Sequence, residues 1–120
     1  MDNLVKILKS SPTIIGIKQS FEDEGALPAD VLVAKQLAFI SNKTINLKIG
    51  GCEALTDMMF ADSNNIDGVV APMIESKFAL KKYINVSKQF NFKKYFNVET
   101  IECVNNLDDI LSSDNASLLD

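Results

Sequence analysis

Four apolar, β-rich segments of this chain carry, or are followed by, side chains that can do acid–base or ligand chemistry. The segments span residues 13–18, 45–49, 67–73 and 95–99. Their polar residues are Lys18, Gln19, Lys48, Glu75 and Glu99. Because the carboxyl ends of parallel strands meet at one edge of an α/β sheet or barrel, we expect these side chains to converge on one site.

The segments between these strands have the periodicity of helices. A short helix with Leu4, Ile7 and Leu8 precedes the first strand, and Pro28 opens a helix that runs to about Ser41. In this helix the residues predicted to face the core are Val33, Leu37 and Ile40. In the three helices that follow they are, in order, Leu55, Met58 and Met59; Ala79, Tyr83, Val86 and Phe90; and Val104, Leu107, Ile110 and Leu111. This alternation predicts βα units and a parallel sheet. Residues 118–120 have the pattern of the start of a further strand.

Composition excludes several classes of protein. A chain of 120 residues with 47% hydrophobic content predicts one globular domain. A net charge of -4 argues against a nucleic-acid partner. No apolar run approaches the roughly 20 residues that span a bilayer, and the N-terminus lacks a signal-peptide pattern. Two cysteines at long spacing, Cys52 and Cys103, predict reduced thiols. We therefore expect a cytoplasmic protein without a membrane partner.

The charged residues limit how a ligand can be held. All twelve cationic residues are lysines, so no arginine fork is present to bind a carboxylate or phosphate. An anionic substrate would be held by lysine, by backbone N–H groups or by a metal ion. Histidine is also absent, which removes the usual general base near neutral pH.

Four sequence blocks resemble the HpcH/HpaI aldolase and citrate lyase beta-subunit superfamily. They are Ile17-Lys18-Gln19-Ser20-Phe21-Glu22-Asp23, Leu47-Lys48-Ile49-Gly50-Gly51, Asp67-Gly68-Val69-Val70-Ala71-Pro72-Met73-Ile74-Glu75, and Asn97-Val98-Glu99-Thr100 with residues 106–111. The resemblance covers most of the chain and is most specific in the last two blocks. It implies an α/β fold, a partial TIM (β/α)8 barrel of about four parallel strands alternating with helices. Residues 1–120 would be a single incomplete domain, the N-terminal half of such a barrel.

The resemblance also implies an activity. Members of the family are divalent-metal-dependent aldolases or lyases, which cleave or form a C–C bond through the enolate of a small 2-oxo acid or an acyl thioester. The implied cofactor is Mg²⁺ or Mn²⁺, a hard cation that can stabilise the negative charge of the enolate. Since a four-stranded sheet leaves an open edge, we also expect a homo-oligomer.

Matching positions carry the implied roles. The resemblance gives Glu99 as the metal ligand; Lys48, Glu75 and Asp23 as catalytic residues; and Lys18, Gln19, Lys48 and Gly50 as substrate-binding residues. Two departures stand out. The second metal ligand of the family, an Asp in a Gly-x-x-Asp-Leu block, has no counterpart in residues 1–120. A His of the acidic loop is replaced by Glu22, Asp23 and Glu24, of which one could act as a base if its pKa were raised.

Each candidate residue also has a purely structural interpretation. Glu99 can stabilise the N-terminus of the next helix, and Lys48 can be a solvated residue of an edge strand. Gly50 and Gly51 suit a tight turn, and the acidic loop can be a solvent-facing segment. For the whole chain, two alternatives stay open: a catalytically inactive fragment or dimerising α/β half-barrel, and a flavodoxin-like binding domain.

Overall fold

A computed structural model describes residues 2–22 and 24–120 of the chain. Its elements are α1 (Asp2–Ser10), β1 (Gly16–Ser20), α2 (Pro28–Ile40), β2 (Thr44–Lys48), α3 (Leu55–Ser63), β3 (Gly68–Ala71), α4 (Lys77–Ser87), β4 (Lys93–Phe96) and α5 (Ile101–Ser112). A 3₁₀ helix (Asp114–Leu118) follows α5. The predicted alternation of strands and helices is confirmed.

The four strands form one parallel sheet in the order β1-β2-β3-β4. Each strand therefore lies beside its neighbour in sequence, and α2, α3 and α4 provide the crossovers that parallel pairing requires. All three crossover helices contribute buried residues to one apolar core. The sequential order differs from the 2-1-3-4-5 order of a flavodoxin-like sheet, in which helices cover both faces.

Side chains alternate strictly between the two faces of β2. Ile45, Leu47 and Ile49 are at most 1% exposed and belong to the core. Burying each of them stabilises the fold by about 1.5–3 kcal/mol. Because successive strand residues point to opposite faces, Asn46 and Lys48 must lie on the other side of the sheet.

The core face predicted for α2 is wrong at two of its three positions. Val33 and Ile40 are exposed, whereas Val31, Ala34 and Ala38 are buried. This helix is apolar on nearly every side, so its periodicity does not identify the side that meets the sheet. The small side chains of Ala34 and Ala38 allow α2 to approach the sheet closely. Four other predicted core residues are also exposed: Leu55, Met59, Val104 and Leu111.

The outer strands differ from their predicted bounds. β1 starts later than residue 13 and continues through Ser20, so Lys18 and Gln19 lie inside the strand, on opposite faces. β4 ends at Phe96, so Glu99 lies in the loop that follows it. Fewer apolar residues mark these strands, which explains why their ends were hard to place from sequence.

Two aspartates bind to the backbone of a strand residue in the same way. Asp67 donates its backbone N–H to the Ile45 carbonyl (3.1 Å), and its Oδ2 accepts the Ile45 N–H (2.8 Å). Asp120 makes the same two bonds with Lys94, both at 2.8 Å. The strand predicted to begin at residue 118 is wrong in form, since a 3₁₀ helix ends at Leu118. Asp120 nevertheless occupies the edge of β4.

We predict that Asp67→Ala lowers the free energy of unfolding by about 1.5–3 kcal/mol, because it removes a charged acceptor from the Ile45 N–H. Asp67→Asn retains an acceptor oxygen and should lose less. The exposed Asp62 provides the control, and Asp62→Ala should stay within about 0.5 kcal/mol of wild type. Urea denaturation measures all three variants, and equal losses at positions 62 and 67 would contradict the structural role.

Candidate functional site

Lys48 at the end of β2 meets Glu99 in the loop after β4. The Lys48 Nζ lies 3.4 Å from Glu99 Oε2, although the residues are 51 positions apart in sequence. The side chain of Lys48 is 8% exposed and that of Glu99 is 29% exposed. Partial burial reduces screening by salt, so this pair interacts more strongly than a surface ion pair. The predicted convergence of these two strand-end residues is therefore observed.

Glu99 has two further donors. The Met73 backbone N–H donates to Glu99 Oε1 at 2.9 Å, and Asn97 Nδ2 lies 3.5 Å from Oε2. The Met73 N–H is the main reason that the pKa of the Glu99 carboxyl lies below its usual value. Partial burial opposes this lowering of the pKa, and Lys48 and Asn97 add to it. Glu99 is consequently a carboxylate at neutral pH.

Met73 reaches Glu99 through an unusual backbone conformation. Its φ is +54°, in the left-handed region that costs a residue other than glycine roughly 1–2 kcal/mol. Pro72, which precedes Met73, and the Glu99 carboxylate, which accepts the Met73 N–H, favour this turn. The turn after β3 is thereby fixed to the loop after β4, across the end of the sheet.

The pairing of the strands determines what surrounds Lys48. Its register partners are Ser20 on β1 and Val70 on β3, so all three lie on the same face. Ser20 is 1% exposed, which leaves the lysine stem little free space. Nearer the amino end of this face, a Cβ on Gly68 would overlap the side chains of Asn46 and Tyr95. The face is therefore closely packed below Lys48.

Lys18 and Gln19 do not lie together. Lys18 shares the face of Lys48, and its Nζ is 4.0 Å from Glu24 Oε1 in a half-exposed pair. Gln19 lies on the face that packs against the helices. Of the two, Lys18 alone is on the side of the Lys48–Glu99 pair.

Gly50 and Glu75 follow the carboxyl ends of β2 and β3. Gly50 donates its N–H to Asp57 Oδ2 at 2.9 Å, and a Cβ on it would lie 3.1 Å from Glu22 Oε1. The carbonyl of Glu75 accepts a hydrogen bond from Asn106 at 2.9 Å. Asp23, the remaining predicted catalytic residue, lies outside the described residues.

Glu75 and Glu99 act on a common neighbour. Burial raises the pKa of the Cys103 thiol, and the charges of both carboxylates raise it further. Cys103 is buried at the start of α5, and both cysteines are free. The thiol is thus held in its neutral form.

A shallow cleft of about 340 Å³ opens beside Glu99. Its other lining residues are Val98, Thr100, Ile101 and Val104. A larger cleft of about 660 Å³ is lined by Lys77, Phe78 and Lys81 together with residues 112–115, and contains none of the predicted site residues. Of these two clefts, only the one beside Glu99 is lined by a member of the Lys48–Glu99 pair.

The described residues do not by themselves fit the Mg²⁺ or Mn²⁺ that the resemblance implies. Within residues 2–22 and 24–120, no three His, Cys, Asp or Glu side chains are grouped so that they could hold a metal ion. Glu99 provides one carboxylate, and its two oxygens already accept from Met73 and Lys48. Magnesium and calcium ions generally need several oxygen ligands.

Sequence reasoning missed two groups of this site, the Met73 N–H and the Asn97 amide. Asn97 opens the block that contains Glu99, so its position was a signal that it could take part. A backbone donor leaves no comparable signal, because any residue except proline can supply an N–H.

Comparison of the sequence with models of known protein families gives no match. A search among curated proteins finds no significant relative. Among the described helices, none combines the length and the apolar character needed to cross a membrane. The resemblance to the HpcH/HpaI superfamily thus depends on the four sequence blocks.

We predict that Lys48→Met raises the pKa of the Glu99 carboxyl, since a neighbouring positive charge is lost. The pKa should remain below its usual value, because the Met73 N–H still donates. Carboxyl ¹³C NMR titration of wild type and variant measures the pKa of Glu99.

The lowered pKa of Glu99 stabilises the fold at pH values above its unfolded pKa of about 4.3, and this contribution is lost as the pH falls through the folded pKa. Glu99→Gln should therefore destabilise the protein more at pH 7 than in acid.

Proposed function

We propose that this chain carries part of the active site of a C–C lyase or aldolase that acts on a small 2-oxo acid or an acyl thioester. The Lys48–Glu99 contact supports this most directly, because it joins two βα units at the end of the sheet where parallel α/β enzymes bind substrates. Both residues also belong to blocks that resemble the HpcH/HpaI superfamily.

The proposed architecture is a partial (β/α)8 barrel. Sequential parallel strands with helices on one side are the repeating arrangement of that barrel, and the polar face of the sheet would then line its interior. Lys18, Ser20, Asn46 and Lys48 lie on that face. Their side chains would give the interior the hydrogen-bonding groups that a polar ligand needs.

Lys48 suits the charge of such a substrate. A 2-oxo acid carries a carboxylate, and breaking the C–C bond between the carbon atoms α and β to its keto group places further negative charge on the keto oxygen. A positioned ammonium group in a partly buried site stabilises that charge more than water does. Glu99 holds the ammonium at the end of β2. A metal-dependent version of this reaction would need ligands in addition to Glu99.

We predict that pyruvate binds to wild type and that Lys48→Met weakens binding by roughly thirtyfold, the equivalent of about 2 kcal/mol for loss of one member of a buried charged contact. Isothermal calorimetry measures the affinity, and circular dichroism shows whether the variant is folded. The exposed Lys81 is the matched control, and Lys81→Met should bind as wild type does.

Equal binding by wild type and folded Lys48→Met would place the anion elsewhere and contradict this site. Loss of binding in Lys81→Met as well would indicate a general effect of charge instead of a contact with Lys48.

Assembly through the sheet edges is a second candidate function. β1 and β4 each have one neighbouring strand among the described residues, and apolar side chains are exposed on the helices that follow them. Phe39 on α2 is 80% exposed and Ile101 on α5 is 77% exposed. Strand edges invite pairing, and two copies would together supply the eight strands of a closed barrel once Asp120 leaves the edge of β4.

We predict a dimer of twice 13.2 kDa in solution, because closure would cover both edges and their flanking apolar side chains. Size-exclusion chromatography with light scattering measures the mass over a concentration series. Ile101→Glu should shift the protein to monomer, whereas Phe78→Glu, on an exposed residue of α4, should not. A wild-type protein that stays monomeric at every concentration would contradict assembly by this route.

A further inference from the structure

We infer that Lys48 is the amine of an imine-forming site, which condenses with the keto group of a 2-oxo acid. This rests on the proposed function and adds to it a covalent step and the residue that performs it. Lysine is the side chain that forms Schiff bases with carbonyl substrates, and a lysine withdrawn from water at the end of a strand is suited to that role. Lys48 meets this description, since 8% of its side chain is exposed.

The amine is held in one place by its surroundings. Its stem leaves the sheet between Ser20 and Val70, and its Nζ is held by Glu99. Glu99 is itself fixed, because Met73 donates to Oε1 while Lys48 donates to Oε2. A nucleophile restricted in this way needs little further ordering to meet a bound carbonyl carbon.

The two oxygens of Glu99 thus have different tasks. Oε1 anchors the carboxylate to the turn after β3, and Oε2 remains beside the Lys48 nitrogen. A carboxylate beside an attacking amine can take a proton from it and return that proton to the departing oxygen. We assign this role to Glu99, and Met73 is a positioning residue that acts through it.

The step balances without any additional reagent. Lys48 passes a proton from its ammonium to Glu99, and the neutral nitrogen attacks the keto carbon. A C–N bond forms while the C–O π electrons move to oxygen, and a proton passes from the nitrogen to that oxygen to give a hydroxyl group. Glu99 returns its proton to the hydroxyl group, the C–O bond breaks as the nitrogen lone pair forms the C=N bond, and the oxygen leaves as water. Ammonium and ketone have become iminium and water. When the C–C bond between the carbon atoms α and β to the iminium carbon breaks, its electron pair moves to the iminium nitrogen and an enamine forms.

Among the described residues, the cleft beside Glu99 is connected to Lys48 only through Glu99, which lines the cleft and contacts the Lys48 Nζ at 3.4 Å. Val98, Ile101 and Val104 contribute apolar side chains to the cleft, and Thr100 contributes a hydroxyl group that already accepts from the Cys103 N–H. The carboxylate of a 2-oxo acid would be drawn toward the Lys48 charge, and its carbon chain would rest on the apolar wall. The expected substrates are therefore small 2-oxo acids with apolar chains.

Borohydride trapping with pyruvate tests the inference. Borohydride reduces an iminium to a stable secondary amine, so the protein should gain the mass of one pyruvic acid plus two hydrogen atoms less one water. Peptide mapping should locate this adduct on Lys48, and a chelator should leave it unchanged. Lys48→Arg keeps the positive charge and should lose the adduct. Lys81→Arg removes an exposed lysine and should retain it.

The outcomes separate this inference from the proposed function. Ligand-observed NMR on the same samples reports whether pyruvate binds. Binding without an adduct on Lys48, or an adduct spread evenly over the exposed lysines, overturns the imine step and leaves the proposed function standing. Absence of both binding and adduct overturns the two together. Mapping of the wild-type adduct decides the question even if Lys48→Arg does not fold.

Discussion

The alternation of side chains along β2 is the constraint on which the site depends. Ile45, Leu47 and Ile49 enter the core, and the period of two then fixes Lys48 on the opposite face. A shift of one residue in the pairing of β2 would turn the lysine toward the apolar core and move three large apolar side chains to the opposite face of the sheet. Because each burial contributes about 1.5–3 kcal/mol, the core specifies the position of the functional cation.

Much of the fold follows from this kind of pattern, and the errors have a physical cause. Continuous apolar runs identified β2 and β3, since both are buried between other strands. α2 was located correctly between Pro28 and Ile40. Its buried face was not, because Val33 and Ile40 are as apolar as the residues that meet the sheet. Ala34 and Ala38 are buried instead, because their small side chains let the helix pack closely against the sheet. Helix periodicity does not show which of several apolar sides packs most closely.

The site was only partly predictable for a related reason. Lys48 and Glu99 could be found because parallel strands bring their carboxyl ends together. The contribution of Met73 depends on a left-handed turn that the tertiary structure stabilises, and its donor is a backbone N–H. The side-chain bonds from Asp67 to Ile45 and from Asp120 to Lys94 were likewise not predictable from the sequence, since each depends on where two distant segments meet in the folded chain.

Glu99 connects these features to the choice of chemistry. A carboxylate that binds a divalent ion must direct an oxygen toward it, whereas here one oxygen accepts from a backbone N–H and the other from an ammonium group. A metal ion at Oε2 would compete with Lys48, because two cations so close together repel each other. In the present geometry Glu99 therefore supports the lysine. The imine step that we infer for Lys48 uses this contact directly, because Glu99 takes up the proton of the Lys48 ammonium and later returns it.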